Sequence, residues 1–211
     1  MAGPGVFIAF EGGEGAGKST QVGRLEAWLT GRGVPVRTTR EPGATDLGGT
    51  VRSIVLDPAN TGLSARAEAL LYAADRAQHV HEVVAPALAA GQVVVTDRYV
   101  DSSLAYQGAG RSFDLAEIAS ISRWATEGLV PDLTVLLDLP PETGLARARG
   151  RAAADRLEGE SVQFHQRVRD TFRALAAAEP DRYLVLDATA DPDALAGAVA
   201  AGVGALLGER R

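Results

Sequence analysis

Apolar residues follow two rhythms along this chain. Short runs without polar alternation recur at "VFIAF" (6–10), "VPVRTT" (34–39), "QVVVT" (92–96), "LTVLLDL" (133–139) and "YLVLD" (183–187). Each has strand length and is rich in Val, Leu or Ile, the pattern of strands buried on both faces of a parallel sheet. Between them the spacing changes to helical. Val22, Leu25 and Leu29 line a helix over 18–31, with Gly31 and Gly33 as stop signals, and Val162, Phe164, Val168, Phe172 and Leu175 line another. The stretch 64–90 reads as Ala- and Leu-rich helix broken near Pro86, and 191–207 as a closing helix behind Asp191-Pro192. Strands alternating with helices predict a doubly wound α/β fold: a mostly parallel five-stranded sheet with helices on both faces. Ligands in such folds sit beyond the carboxyl ends of the strands, where Glu11, Asp97, Asp138 and Asp187 fall.

With 211 residues and no linker, repeat or low-complexity tract, residues 1–211 read as one domain. A formal net charge of −6 excludes binding driven by a broad basic surface, so no nucleic-acid partner is expected. The absence of cysteine excludes disulfide and thiolate chemistry. The opening "MAGPGVFIAFEGG" lacks the charged start of a signal peptide, and no run reaches the roughly 18 apolar residues of a membrane helix. The expectation is a cytoplasmic protein with no membrane partner. His79 and His81 are too close to share a metal from one helix face, and all three histidines, with His165, read as exposed.

Chemistry enters directly after the first strand. Gly12-Gly13-Glu14-Gly15-Ala16-Gly17-Lys18-Ser19, followed by Thr20, fits G-x-x-x-x-G-K-[ST] between a buried strand and a helix. Backbone N–H groups of such a loop point at phosphate oxygens, Lys18 reaches the outer phosphates, and Ser19 can ligate Mg2+. Lys18 is also the chain's one lysine. That excludes an Asn/Thr-Lys-x-Asp guanine reader, so "DLGG" at 46–49 is no GTPase motif. Asp97, at the tip of "QVVVTD", occupies the position from which a phosphate-loop enzyme holds a carboxylate toward magnesium. Asp138 and Asp187 read as a helix start and a turn. If a second polyanion is bound, arginines must converge on the phosphates, and Arg40, Arg52 and Arg98 are the candidates outside the loop. Arg52 also fits a surface helix charge.

Six stretches carry more: "FEGGEGAGKST", "TREPGAT" (39–45), "LLYAADRAQH" (70–79), "DRYVDSSLAYQGAGR" (97–111), "PDLTVLLDL" (131–139) and "DRLEGESVQFHQRV" (155–168). In this order and spacing, from about residue 6 to 190, the chain resembles the bacterial thymidylate kinases. The resemblance implies transfer of a phosphoryl group from ATP to dTMP and a homodimer. It implies that Arg98 clamps the dTMP phosphate with Arg40 and Arg52 lining the same pocket, and that Glu14 faces the 3′-hydroxyl of the sugar. Tyr72 would stack on thymine and Arg76 reach its carbonyl. The two lie four apart on one helical face, and Tyr72 stands where the family usually has Phe. Ser103 and Gln107 are assigned to the thymine edge, and Tyr106 to the space beneath the deoxyribose.

The resemblance also puts the catalytic arginine in a lid, about 147–158. Four arginines lie in "RARGRAAADR", and Arg147 and Arg151 share a helical face that Arg149 does not. Matching through "DRLE" selects Arg151, with Arg147 and Arg156 as helpers. Two rivals stay open at this stage: a kinase for another small acceptor, and a nucleotide-dependent switch or binding module.

Overall fold

A computed structural model describes residues 5–149 and 155–209. Five strands, β1 (Val6–Glu11), β2 (Val36–Arg40), β3 (Val93–Asp97), β4 (Leu133–Asp138) and β5 (Tyr183–Asp187), form one sheet in the order β2-β3-β1-β4-β5. Every pairing is parallel. The central strands are apolar on both sides because both sides are covered. Ile8, Phe10, Val95, Val135 and Leu137 pack against α1 (Lys18–Thr30) and α9 (Pro192–Glu209), through Leu25, Leu29, Val199 and Val203. Phe7, Ala9 and Val94 face the opposite layer, meeting Val80 and Val84. Emptying the buried Phe10 site to Ala therefore costs about 3–5 kcal/mol.

The edge strands depart from the expectation of full burial. In β2 no residue is fully buried, and in β5 only Tyr183 is, because each has a neighbour on one side alone. The stretch predicted to break near Pro86 does not break. α3 (Ala65–His79) runs through a π-helical turn, Val80–Val84, into α4 (Ala85–Ala89), and the wider turn just before Pro86 accommodates its ring and missing N–H. A second π-helical stretch, Leu104–Gly110, continues α5 (Val100–Ser103). The remaining helices are α2 (Asp46–Leu56), α6 (Leu115–Ala125), α7 (Pro141–Arg149) and α8 (Val162–Ala178). Among the described residues no helix is long and apolar enough to cross a membrane.

Strand order reverses at β1, which has β3 on one side and β4 on the other. The loops leaving β1 and β3 are thus adjacent at the carboxyl edge, with Phe10 in register with Asp97 and Arg98 N donating to Phe10 O at 2.9 Å. This is the crevice at which open α/β sheets take ligands.

Candidate active site

The β1–α1 loop is shaped by its glycines. Gly15 has φ +65°, and a Cβ there would collide with the Gly144 carbonyl of α7. Gly17 at the helix start is left-handed and makes no side-chain cap, which leaves the first N–H groups of α1 free for an anion. Lys18 Nζ donates to Gly12 O and Gly13 O, both at 2.9 Å, folding the ammonium over its own loop. Burial pushes the lysine's pKa down, and the nearby Arg98 adds to this.

Ser19 Oγ donates to Asp97 Oδ2 at 2.8 Å, joining the loop to the tip of β3. Both face a cavity of about 360 Å³ that Arg40, Arg52 and Arg98 also line. A hydroxyl and a carboxylate are hard oxygen donors that suit Mg2+. Among the described residues no group of three His, Cys, Asp or Glu could hold a metal. An ion here would take its other oxygens from phosphate and water, as magnesium ordinarily does. Thr20 is exposed and is not among the residues lining this cavity.

Arg98 links two spaces. Its backbone is left-handed (φ 72°), a strained state for a non-glycine residue that long-range bonds must hold. Its Nη1 donates to Gly12 O at 3.2 Å and Ser102 Oγ at 3.1 Å. Its Nη2 donates to Glu14 Oε1 at 2.7 Å and Tyr106 Oη at 3.3 Å. Glu14 Oε1 also accepts from Tyr106 Oη at 2.7 Å. Burial works to raise the Glu14 carboxyl, but Arg98, Lys18 and the Tyr106 hydroxyl outweigh it and hold the pKa down at about 2. The acid in the phosphate loop is thus an anion held by Lys18 of its own loop and by Arg98 beyond β3.

Beyond Arg98 lies a second cavity, about 100 Å³, lined by Tyr72, Arg76, Ser103, Tyr106 and Gln107 and reached by Arg52 and Glu14. Arg76 is 2% exposed. Its Nε donates to Glu41 Oε2 at 2.7 Å, Nη1 to Ser103 Oγ at 3.0 Å and Nη2 to the Tyr99 carbonyl at 3.1 Å. Glu41 is braced in turn: its Oε1 lies 2.8 Å from His79 Nδ1, and His79 Nε2 lies 2.8 Å from Thr39 Oγ1. The guanidinium is held by these bonds before any ligand arrives.

A model of the thymidylate kinase family matches residues 10–198. A thymidylate kinase from Cutibacterium acnes is 58% identical over 87% of this chain and 89% of its own. One from Solidesulfovibrio magneticus is 56% identical over 96% of this chain and its whole length. A crystal structure of thymidylate kinase from Ehrlichia chaffeensis superposes with a TM-score of 0.72 at 32% identity, over 87% of this chain and 93% of that one. The chain belongs to the thymidylate kinase family.

As a thymidylate kinase family member the chain brings together most of the side chains expected from its sequence. Glu14, Lys18, Ser19, Arg40, Arg52, Asp97 and Arg98 line the larger cavity, and Tyr72, Arg76, Ser103, Tyr106 and Gln107 the smaller. Arg52 donates to the Pro42 carbonyl at 3.0 Å and lines both, so it is no free surface charge. Arg151 lies outside the described residues. Arg149 is exposed at the end of α7, and Arg147 Nη1 donates to Ala188 O at 3.0 Å, toward β5. Arg156, expected as a lid helper, is anchored on the acceptor side instead, its Nε on Val55 O at 2.8 Å and its Nη2 on Glu68 Oε2 at 2.6 Å.

"DLGG" forms the first turn of α2, where Gly48 N donates to Thr45 Oγ1 at 3.0 Å. Asp138 is structural through a two-pronged pair with Arg169 of α8, at 2.6 and 3.0 Å, and Asp187 closes a turn onto Thr189. The histidine expectation fails for two of three. His79 is fully buried against Glu41 and His165 is 5% exposed; His81 is exposed as expected.

Sequence reasoning missed two acids, and placed a third, Glu11, at the strand ends without giving it a role. Glu41 and Glu68 brace the acceptor side. Glu11 accepts from Tyr99 N at 2.8 Å, Ser102 N at 3.1 Å and Ser102 Oγ at 2.6 Å, capping α5 from across the sheet. Burial, with Asp101 nearby, pushes the Glu11 carboxyl up to about 7. The available signal was a carboxylate ending an otherwise apolar strand.

Proposed function

We propose that the chain transfers the terminal phosphoryl group of ATP to dTMP, giving dTDP and ADP. The reading is carried by Arg98, whose guanidinium lines both cavities at their junction. A monophosphate in the smaller cavity and a triphosphate on the loop would meet there end to end. An acceptor phosphate oxygen forms the new bond to the outer phosphorus of ATP, the bond from that phosphorus to its bridging oxygen breaks, and ADP leaves with the electron pair. The protein's task is positioning and charge neutralisation.

Gly12 through Thr20 hold the ATP phosphates, with Lys18 on the outer ones and Arg147 assisting. Arg151 comes from the lid to the transferring group. Arg98, Arg40 and Arg52 take the dTMP phosphate. Ser19 and Asp97 would hold magnesium, which supplies charge neutralisation across the outer phosphates when bound. Arg76, Ser103 and Gln107 read thymine against Tyr72, Tyr106 fills the space beneath the sugar, and Glu14 accepts from the 3′-hydroxyl. We place the enzyme in the cytoplasm as a homodimer.

Coupled ADP release with dTMP, dUMP, dCMP, dGMP and AMP as acceptors tests the reading. dTMP is expected to be the fastest by a wide margin. Equal rates with AMP contradict the thymine assignment.

A further inference from the structure

A fully buried carboxylate stands behind the base end of the smaller cavity. Glu68, in the first turn of α3, collects donors from three residues in two other parts of the chain. Its Oε1 accepts from Gln107 Nε2 at 2.9 Å and Arg111 Nε at 3.3 Å. Its Oε2 accepts from Arg111 Nη2 at 3.0 Å and Arg156 Nη2 at 2.6 Å. Burial acts to raise this carboxyl's pKa, yet the bonds from Gln107, Arg111 and Arg156 outweigh it and bring it below the usual carboxylate range. Glu68 is therefore an anion at neutral pH, and an ionised carboxylate can only accept.

That fixes which way round Gln107 sits. A primary amide donates from its nitrogen and accepts at its oxygen, and its partners decide the orientation. Facing an obligate acceptor, Gln107 must turn its NH2 to Glu68; the flipped amide would set two oxygens against each other in a buried site. One N–H of Gln107 is spent on Glu68, so toward the cavity it also lines it keeps a second N–H and, at the end of the amide turned from Glu68, its oxygen, an acceptor. The opposing wall has the other polarity. Arg76 uses Nε, Nη1 and Nη2 once each on Glu41, Ser103 and Tyr99, which leaves two of its five N–H groups. Ser103 Oγ accepts from Arg76, so its own O–H is left to donate.

Thymine carries an N3–H donor flanked by carbonyl acceptors, whereas cytosine has a bare N3 acceptor beside an amino donor. The geometry points to Glu68 as a specificity-determining positioning residue: by holding the Gln107 amide with its oxygen toward the cavity, it admits a pyrimidine bearing N3–H and refuses cytosine. The inference rests on the dTMP reading above and deepens it. Glu68 touches no substrate and acts through Gln107.

The test is ADP release by the full chain and by Glu68→Gln, with dTMP, dUMP and dCMP. Glutamine at 68 can donate or accept, so Gln107 is freed to turn. The ratio of kcat/KM for dCMP to that for dTMP is expected to rise about tenfold or more, while the dUMP to dTMP ratio stays put because uracil keeps N3–H. A purely structural role lowers all three together; an unmoved dCMP to dTMP ratio overturns the inference. If Glu68→Gln does not fold, Gln107→Met with Glu68 intact must raise the same ratio, and an unchanged ratio is again fatal. A wild-type enzyme inactive on dTMP removes the functional reading and this inference with it. One active on dTMP whose ratio does not move in Glu68→Gln removes this inference alone.

Discussion

The two sides of the crevice are built on opposite plans. The donor side is a cavity of about 360 Å³ whose polar groups are bonded mainly to each other: Lys18 to its own loop, Ser19 to Asp97. The acceptor side is a cavity of about 100 Å³ whose walls are braced from behind, Arg76 by Glu41 and His79, and Gln107 by Glu68. Phosphates look alike on every nucleotide, so a loop of N–H groups and one ammonium suffices and can rearrange on binding. A base is distinguished by the order of its donors and acceptors, so its readers must be fixed beforehand, and buried carboxylates do that.

The contrast predicts that donor-side changes strike turnover and acceptor-side changes strike recognition. Lys18→Ala should lower kcat at least about 10³-fold while dTMP still binds; robust residual transfer in single-turnover assays would break the contrast at its strongest point. Arg151→Ala should lower kcat by about 10³-fold or more with dTMP affinity nearly unchanged. A large loss of dTMP binding with normal turnover would move Arg151 to the acceptor side and leave the transferring group to another arginine.

On the acceptor side, Glu41→Gln strips the counter-charge from a buried guanidinium. Urea denaturation should show a loss of about 3–5 kcal/mol, and calorimetry a weaker dTMP complex, with the affinity for ATP retained. Glu14 stands on the boundary. Glu14→Gln should weaken dTMP by about 1.5–3 kcal/mol, a charge-assisted hydrogen bond's worth, and ATP by less. An unaltered dTMP KM would take Glu14 off the acceptor side.

How much of this was legible in the sequence follows from the range of the forces involved. β1, β3 and β4 were readable because burial on both faces makes them uniformly apolar, and the phosphate loop because its glycines, lysine and serine are consecutive. The site side chains came from spacing within single elements, such as Tyr72 with Arg76, and from resemblance. What stayed hidden is long-range. His79 looks like a helix-surface residue until Glu41, 38 positions away, arrives beside it. Glu68 looks like an ordinary first-turn acid until Gln107, Arg111 and Arg156 converge on it. The π-helical turn at Val80–Val84 has no signature in the sequence, so from sequence alone Pro86 reads as a break.

An effect of pH on stability separates two acids of the β1 end. Glu14 is held at about 2 against an ordinary 4.5, so its stabilising contribution is present above pH 4.5 and lost as pH falls toward 2. Glu11 is raised from 4.5 to about 7, so its contribution is present below pH 4.5 and lost as pH rises through 7. Glu11→Gln imitates the protonated acid and should remove that slope. Across this window the wild-type Tm should fall relative to the variant by about 7–14 °C, since a rise from 4.5 to about 7 amounts to about 3 kcal/mol at roughly 2–4 °C per kcal/mol for a chain of this size. Parallel Tm profiles would contradict the assignment.

The central claim is that a prearranged base pocket and a phosphate loop whose lysine swings onto its ligand meet at Arg98. A crystal structure with dTMP and an unreactive ATP analogue tests it most directly. The account predicts thymine against Tyr72 with its edge on Arg76 and Gln107, its phosphate on Arg98, and Lys18 moved from Gly12 and Gly13 onto the analogue's outer phosphates. A thymine ring bound away from Arg76, or a dTMP phosphate out of reach of Arg98, would contradict it.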